Sequence, residues 1–212
     1  YLTIELKKVY RQQDEQFISL LNQIRENKAS EATLQALNQR YIPNFVPPKE
    51  GNYIRLTTHN APAQYINEQQ LAALPAQSFS FTADIEGDFP ETSYPADFKL
   101  TLKPGAQVMF IKNDPQHRFY NGMIGEVIGV RTDEDGSKIT VRSKDSGEEF
   151  DLEKMEWTNA KYTLNEKTKE IEETVEGKFM QYPLRLAWAI TIHKSQGLTF
   201  EHAIIDASHS FT

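Results

Sequence analysis

A cluster of hydrogen-bond donors lies between two apolar runs in the segment WAITIHKSQGLTFEHAIID, residues 188–206. Its polar side chains supply hydroxyl, imidazole, ammonium and amide groups, and a glycine follows them directly. These residues are Thr191, His193, Lys194, Ser195, Gln196 and Gly197. Charged and neutral donors, next to backbone N–H groups exposed at a glycine turn, are suited to phosphate oxygens. The segment therefore predicts a phosphate-binding site.

The elements that would position this cluster are predicted from its flanks. Pro183 and Gly197 predict a helix over 183–197, because proline is favoured in the first turn and glycine directly after the last. The apolar run at 202–207 predicts a buried parallel strand. Helix, glycine turn and strand form an arrangement in which α/β sheets bind ligands. The alternative is that His193 and Lys194 only offset the helix dipole.

The rest of the chain predicts an α/β protein with an insert. Helical patterns occur at 12–28, 30–40 and 60–74, and strand patterns at 53–58, 78–85 and 105–113. Asn60 is the expected N-cap of the third helix, and Leu34 is expected to face inward on the second. From 114 to 180, Asn-Gly and Asp-Gly turns separate short alternating runs, which predicts a small antiparallel barrel. The α/β domain would then comprise 1–113 and 181–212.

Charge and composition limit the classes of function. The 212 residues carry a net charge of −7, which argues against a uniformly basic nucleic-acid-binding protein. Residues 113–180 hold 10 basic and 16 acidic residues, so this segment carries −6 of the total. A locally positive groove elsewhere therefore remains compatible with the composition. The absence of cysteine excludes disulfides and thiolate metal sites, and no apolar run is long enough for a membrane span.

The segment YPLRLAWAITIHKSQGLTF (182–200) resembles motif V of superfamily-one helicases of the Pif and RecD branch. Three other segments resemble family motifs in the family's order: VYRQQDEQFISLLNQIR (9–25), RLTTHNAPAQYIN (55–67), and LKPGAQVMFIKND with RFYNGMIGEVIGV (102–130). The resemblance implies most of the second RecA-like motor domain, with an inserted SH3-like barrel. It also implies an ATP-dependent DNA helicase, expected to move 5′ to 3′.

The resemblance implies roles for residues of this chain. The residues matching positions on the single-stranded DNA track are Thr58, Asn60, Asn67, Thr191, His193 and Lys194. Gln196 and Gly197 match positions near the nucleotide. Arg11 matches an arginine directed at the γ-phosphate, a catalytic position, and Gln12 lies beside it. Local sequence alone leaves open that Arg11 is a surface arginine and that Asn60 only caps its helix.

The family's phosphate-binding loop, G-x-x-x-x-G-K-[ST], is absent from the sequence. Gly177-Lys178 is followed by Phe179, and Glu172 stands where the first glycine would be. ATP and Mg²⁺ are therefore expected of a longer parent protein, which would supply the Mg²⁺ ligands. The chain, which begins at Tyr1, is expected to be a piece of it. The 212 residues alone are expected not to hydrolyse ATP.

The expected partners are single-stranded and fork-type DNA, ATP, and a protein that binds the acidic insert. A bacterial parent would be cytoplasmic, and a eukaryotic one nuclear or mitochondrial. Two alternatives stay open: a non-enzymatic scaffold derived from a helicase domain, and an RNA helicase. A metal site at His202, Asp206 and His209 is disfavoured by the wide spacing. A serine hydrolase centred on Ser195 is disfavoured because a nucleophile elbow is missing.

Overall fold

The computed structural model describes residues 3, 12, 14–48, 51–133, 136–164 and 170–206. The chain divides into two compact units, Tyr1–Lys49 and Glu50–Thr212. The first unit contains helices α1 (Glu15–Arg25) and α2 (Glu31–Asn38), both as predicted. Asp14 caps α1, and Ser30 forms a capping box with Thr33 at the start of α2. Leu34 was expected to face inward, but it is exposed.

The second unit contains the remaining elements. Its helices are α3 (Asn60–Ala73) and α4 (Ile192–Ser195), with a 3₁₀ turn at Glu91–Ser93. Its strands are β1 (Ile54–Thr57), β2 (Phe79–Thr82), β3 (Asp84–Gly87), β4 (Lys99–Leu102), β5 (Gln107–Phe110), β6 (Ile124–Asp133), β7 (Gly136–Ser143), β8 (Glu149–Leu152), β9 (Met155–Leu164), β10 (Ile171–Gln181), β11 (Leu184–Leu186), β12 (Ala189–Thr191) and β13 (Ala203–Asp206).

A parallel sheet of three strands forms the α/β part of this unit. β1 lies at its centre, between β12 and β13, and both neighbours run parallel to it. α3 follows β1 directly, and its N-cap is His59, not Asn60 as predicted. Asn60 is the first helical residue, so the helix begins one residue earlier than predicted, a difference typical of helix boundaries.

The helix predicted over 183–197 is wrong. The structure has β11 and β12 in this region, and only the four residues of α4 are helical. β11 pairs with β5 and β12 pairs with β1, so distant hydrogen-bond partners override the local proline and glycine signals. Gly197 does follow the C-cap residue Gln196 and has a φ of +82°, a conformation that favours glycine.

Antiparallel sheets make up the rest of the second unit. One has five strands in the order β11-β5-β6-β7-β8, one has three in the order β3-β10-β9, and one pairs β2 with β4. No closed barrel is found among the described strands. Strands from both flanks of 114–180 pair with strands inside it or with each other, and the boundaries of the insert stay a prediction.

The main core packs inside this antiparallel structure. Phe110, Phe119 and Phe150 form an aromatic cluster, with 4.4 Å between the ring centroids of the first two. Phe110 is completely buried. A second core group, which includes Ile54 and Ile190, lies beneath the parallel sheet. These two groups fix the position of the segment that joins β11 to β12.

Candidate nucleic-acid interface

The polar cluster of residues 191–197 begins at the carboxyl edge of the parallel sheet. Thr57 is in register with Thr191 on one side and with Asp206 on the other, so the three strand ends meet there. Thr191 is buried, and its Oγ1 accepts a hydrogen bond of 3.4 Å from the backbone N–H of Lys194. Thr191 thus starts α4 and directs the following side chains away from the sheet.

Two side-chain amides hold the segment that leads into this edge, and we call Asn67 and Gln107 the amide clamp. Asn67 Nδ2 donates to the Ala189 carbonyl at 2.8 Å, and its Oδ1 accepts from the Ala189 N–H at 2.9 Å. Gln107 Nε2 donates to the carbonyls of Ala187, at 2.9 Å, and of Tyr53, at 3.1 Å. Among the described strands, β12 lies at the edge of its sheet. Asn67 bonds the outward backbone groups of Ala189, with which a further strand would otherwise pair.

A groove of about 700 Å³ lies between α3, β4 and the segment 185–194, and we call it the α3–β4 groove. Its lining residues are Asn60, Ala63, Gln64, Asn67, Glu68, Leu71, Ala72, Asp97, Lys99, Leu100, Thr101, Lys103, Arg185, Leu186, Ala189, Ile190, Thr191 and Lys194. Four of the predicted DNA-track residues are therefore brought together: Asn60, Asn67, Thr191 and Lys194. Asn67 contributes mainly through the strand that it holds.

The other predicted residues lie outside the lining of this groove. Thr58 is buried, and its hydroxyl hydrogen-bonds His59 Nδ1 at 2.8 Å. His193, Gln196 and Gly197 are exposed on α4 and the turn that follows it. Gln12 belongs to the first unit, and Arg11 lies outside the described residues. Their roles stay predictions.

The α3–β4 groove is positively charged. Its cationic lining residues are Lys99, Lys103, Arg185 and Lys194, and its anionic ones are Glu68 and Asp97. Burial lowers the pKa of Lys194 below its usual value, and the neighbouring charge of Arg185 lowers it further, while Asp97 acts in the opposite direction. Arg185 is therefore close enough to disfavour the charged form of Lys194, an arrangement that favours an anionic ligand.

Comparison with known proteins identifies the family. The chain is 35% identical over 238 residues to the ATP-dependent DNA helicase Pif1 of Psychrobacter sp., covering 91% of this chain and 35% of that protein. Bacteroides sp. Pif1 in complex with ADP-AlF4 superimposes with a TM-score of 0.83 and 38% identity, covering 97% of this chain and 46% of that one. The chain belongs to the Pif1 helicase family.

Bacteroides Pif1 in complex with ADP-AlF3 and ssDNA is also similar, with a TM-score of 0.67 and 38% identity over 98% of this chain and 46% of that one. No family model matches the sequence. The chain spans about a third to a half of the length of the curated Pif1 relatives it matches. The Pif1 likeness confirms the predicted RecA-like fold class.

The structure adds groove residues that the motifs did not indicate. Lys99 lies on β4, outside the segments matched to family motifs, and Asp97 precedes this strand. Arg185 lies within the segment matched to motif V (182–200), but the resemblance gave it no role. The available signal was the alternation in KLTLK, residues 99–103, in which basic and hydroxyl side chains alternate with leucine. Such alternation predicts a strand with one face in the core, and this strand was not predicted.

Within the described residues, no group of three or more His, Asp or Glu side chains is placed to hold a metal ion. His202 stacks at a tilt on Tyr53, with 4.9 Å between ring centroids, and His209 lies outside the described residues. None of the described helices is long and apolar enough to cross a membrane.

Proposed function

We propose that this chain is part of an ATP-dependent DNA helicase and supplies contacts to single-stranded DNA and one side of the ATP cleft. The observation that carries the proposal is the α3–β4 groove, which brings Asn60, Thr191 and Lys194 together beside the carboxyl edge of a parallel sheet. Hydroxyl, amide and ammonium groups bind backbone phosphates without reading the base sequence, as a translocating protein requires.

The family relationship supports the same function. The curated relatives are ATP-dependent DNA helicases, and one similar structure contains ADP-AlF3 and ssDNA. For the nucleotide we propose Gln196, Gly197, Arg11 and Gln12, with Arg11 directed at the γ-phosphate. The Mg²⁺ ligands would come from the rest of the parent protein. We further propose 5′-to-3′ movement, fork-type DNA as a substrate, and a cytoplasmic, nuclear or mitochondrial location according to the host.

A protein partner for the acidic segment is supported by one feature of the β9–β10 hairpin. Tyr162, Leu164, Ile171 and Val175 are exposed and fall on one face, because Leu164 pairs with Ile171 and alternate residues share a face. Exposed apolar side chains of this kind occur at protein interfaces. Copurification of one binding protein, lost on Tyr162→Ser, is the corresponding test.

The strand-binding role is tested with Lys194→Ala in the full-length protein. For single strands, log K falls with log salt concentration by about 0.7 per phosphate contact, so the slope should flatten by about that amount. The matched control is Lys161→Ala, which removes the same charge from an exposed site outside the groove. A Lys194→Ala protein with the affinity and salt slope of the control would overturn the role.

Two further measurements separate the alternatives. Arg11→Ala is expected to reduce ATP turnover by about a thousandfold or more while strand affinity stays unchanged, as for other arginines that contact a γ-phosphate. A non-enzymatic scaffold would show no DNA-stimulated ATP hydrolysis in the full-length protein. Competition between DNA and RNA strands of the same sequence decides whether 2′-hydroxyl groups contribute to binding.

A further inference from the structure

β4 presents a basic face to the α3–β4 groove. Its side chains alternate: Leu100 and Leu102 are buried in the core, so Lys99 and Thr101 point the other way and line the groove. The Lys99 side chain forms no ion pair or hydrogen bond within the described part of the chain. Its ammonium group is therefore available to a ligand in the groove.

Arg185 lines the same groove as Lys99 and Lys194, and it lies on β11, where the neighbouring residue Leu184 is completely buried. One of its terminal nitrogens donates to the Pro95 carbonyl at 3.2 Å. A guanidinium has five N–H donors, and this bond fixes its position while leaving donors for a phosphate. The guanidinium of Arg185 is thus held in place by its bond to the Pro95 carbonyl.

The positive charge of Arg185 disfavours the charged form of Lys194 in this groove. Burial and the charge of Arg185 lower the pKa of Lys194, and Asp97 offsets only part of this effect. An anion placed between Arg185 and Lys194 would offset the repulsion between them. A row of several anions would also be attracted to Lys99. The excess of cationic over anionic lining residues thus favours an anionic ligand in the groove.

The shape of the groove favours a chain of phosphates over a single one. Its α3 wall runs from Asn60 to Ala72, a length of about 18 Å at the rise of an α-helix. No aromatic side chain occurs among the described residues that line it. The contacts it can offer are to a sugar-phosphate backbone and not to stacked bases.

We propose that the α3–β4 groove extends the single-strand site, and that Lys99 and Arg185 bind successive backbone phosphates beyond the one bound near Lys194. This inference rests on the proposed function. It adds two positions to the strand-binding surface to which the family resemblance gave no role. It also assigns Asp97 as an anion that weakens binding and so keeps the strand from being held too tightly to move.

The test is a length series of fluorescently labelled oligothymidylates, titrated at several salt concentrations against the full-length protein. Lys99→Ala is expected to weaken binding of long strands about three- to tenfold and to flatten their salt slope by about 0.7. Strands too short to reach the groove should bind as in the unsubstituted protein. Lys161→Ala is the charge-matched control, and it should change neither quantity.

A gain of affinity provides a second readout that misfolding cannot imitate. Asp97→Asn keeps the backbone carbonyl that accepts from Gln181 Nε2 at 3.2 Å but removes the negative charge. It is expected to strengthen binding of long strands about two- to fivefold, because a phosphate no longer meets a carboxylate. Unchanged or weaker binding by Asp97→Asn would contradict the inference.

The two proposals fail in different ways. If Lys194→Ala leaves strand affinity unchanged, the proposed function itself is wrong. If Lys194→Ala weakens binding while Lys99→Ala matches the control at every length, only the extension into the groove is wrong. If Lys99→Ala weakens binding equally at all lengths, or lowers affinity for inorganic phosphate alone, the groove binds one phosphate and the extension is again refuted.

Discussion

Asn67 is the residue for which the family resemblance and the contacts lead to different experiments. The resemblance implies a DNA contact, whereas the structure shows its amide bonded to both backbone groups of Ala189, which is 1% exposed. Asn67→Ala would leave a buried N–H and a buried carbonyl without their partner. An unsatisfied buried group costs about 1–3 kcal/mol, so the free energy of unfolding should fall by about 2–4 kcal/mol.

Urea unfolding followed by tryptophan fluorescence measures this loss. The two tryptophans are Trp157 and Trp188. A Trp157→Phe background leaves Trp188, which directly precedes Ala189, as the reporter. The matched control is Gln64→Ala, which removes an exposed amide one turn earlier on α3, bonded only to Glu68 at 2.7 Å. The control should change stability by no more than about 0.5 kcal/mol.

The result that would refute the reasoning is a stability loss below about 1 kcal/mol for Asn67→Ala, with an unchanged denaturant slope. The Asn67 side chain would then contribute little to the stability of the fold. A lower strand affinity in this variant would have to come from the loss of a direct DNA contact. A large stability loss together with weaker DNA binding is the expected outcome, since the side chain positions the strand that carries Thr191.

Three further predictions concern other parts of the chain. Gly177→Ala should destabilise the fold by about 1–3 kcal/mol in thermal or urea unfolding, because its Cβ would lie 2.2 Å from the Asp88 carbonyl oxygen; Gly129→Ala, with nothing within 4 Å, is the control. Arg118 lowers the pKa of Asp114 below 3.8, so the carboxylate's contribution to stability is complete above that pH and is lost as pH falls below it. Asp114→Asn should abolish this acid-sensitive part of the stability profile, and an unchanged profile would exclude the ion pair as its source. The 212 residues alone should release no phosphate from ATP with single-stranded DNA present, and measurable turnover would contradict this.

The sequence supports the element order better than the site. Helical periodicity and caps predicted α1, α2 and α3 within a few residues, because those signals are local. Residues 183–197 were predicted as helix from Pro183 and Gly197, and the short apolar run between them does not distinguish a helix from a buried strand. Their partners, β5 and β1, are separated from them by about 70 to 130 residues of sequence.

The site itself depends on contacts that no local pattern contains. The bond from Asn67 to Ala189 spans 122 residues of sequence, and Lys99 lies more than 80 residues before Arg185 and Lys194. A family motif identified Thr191 and Lys194, because both lie in one contiguous string. It did not identify Lys99, whose position follows from the strand alternation of β4.

Only Ala187 and Trp188 separate β11, in the five-stranded antiparallel sheet, from β12, in the parallel sheet. The amide clamp bonds the backbone at both ends of this link, at Ala187 and at Ala189. The link is therefore too short and too well held to absorb a displacement of either strand. A pull that moves β11 along its axis is therefore transmitted to Thr191 and Lys194 within the same few residues. A load on the antiparallel sheet would in this way reach the proposed strand-binding residues, and binding of a strand there would in turn act on β11.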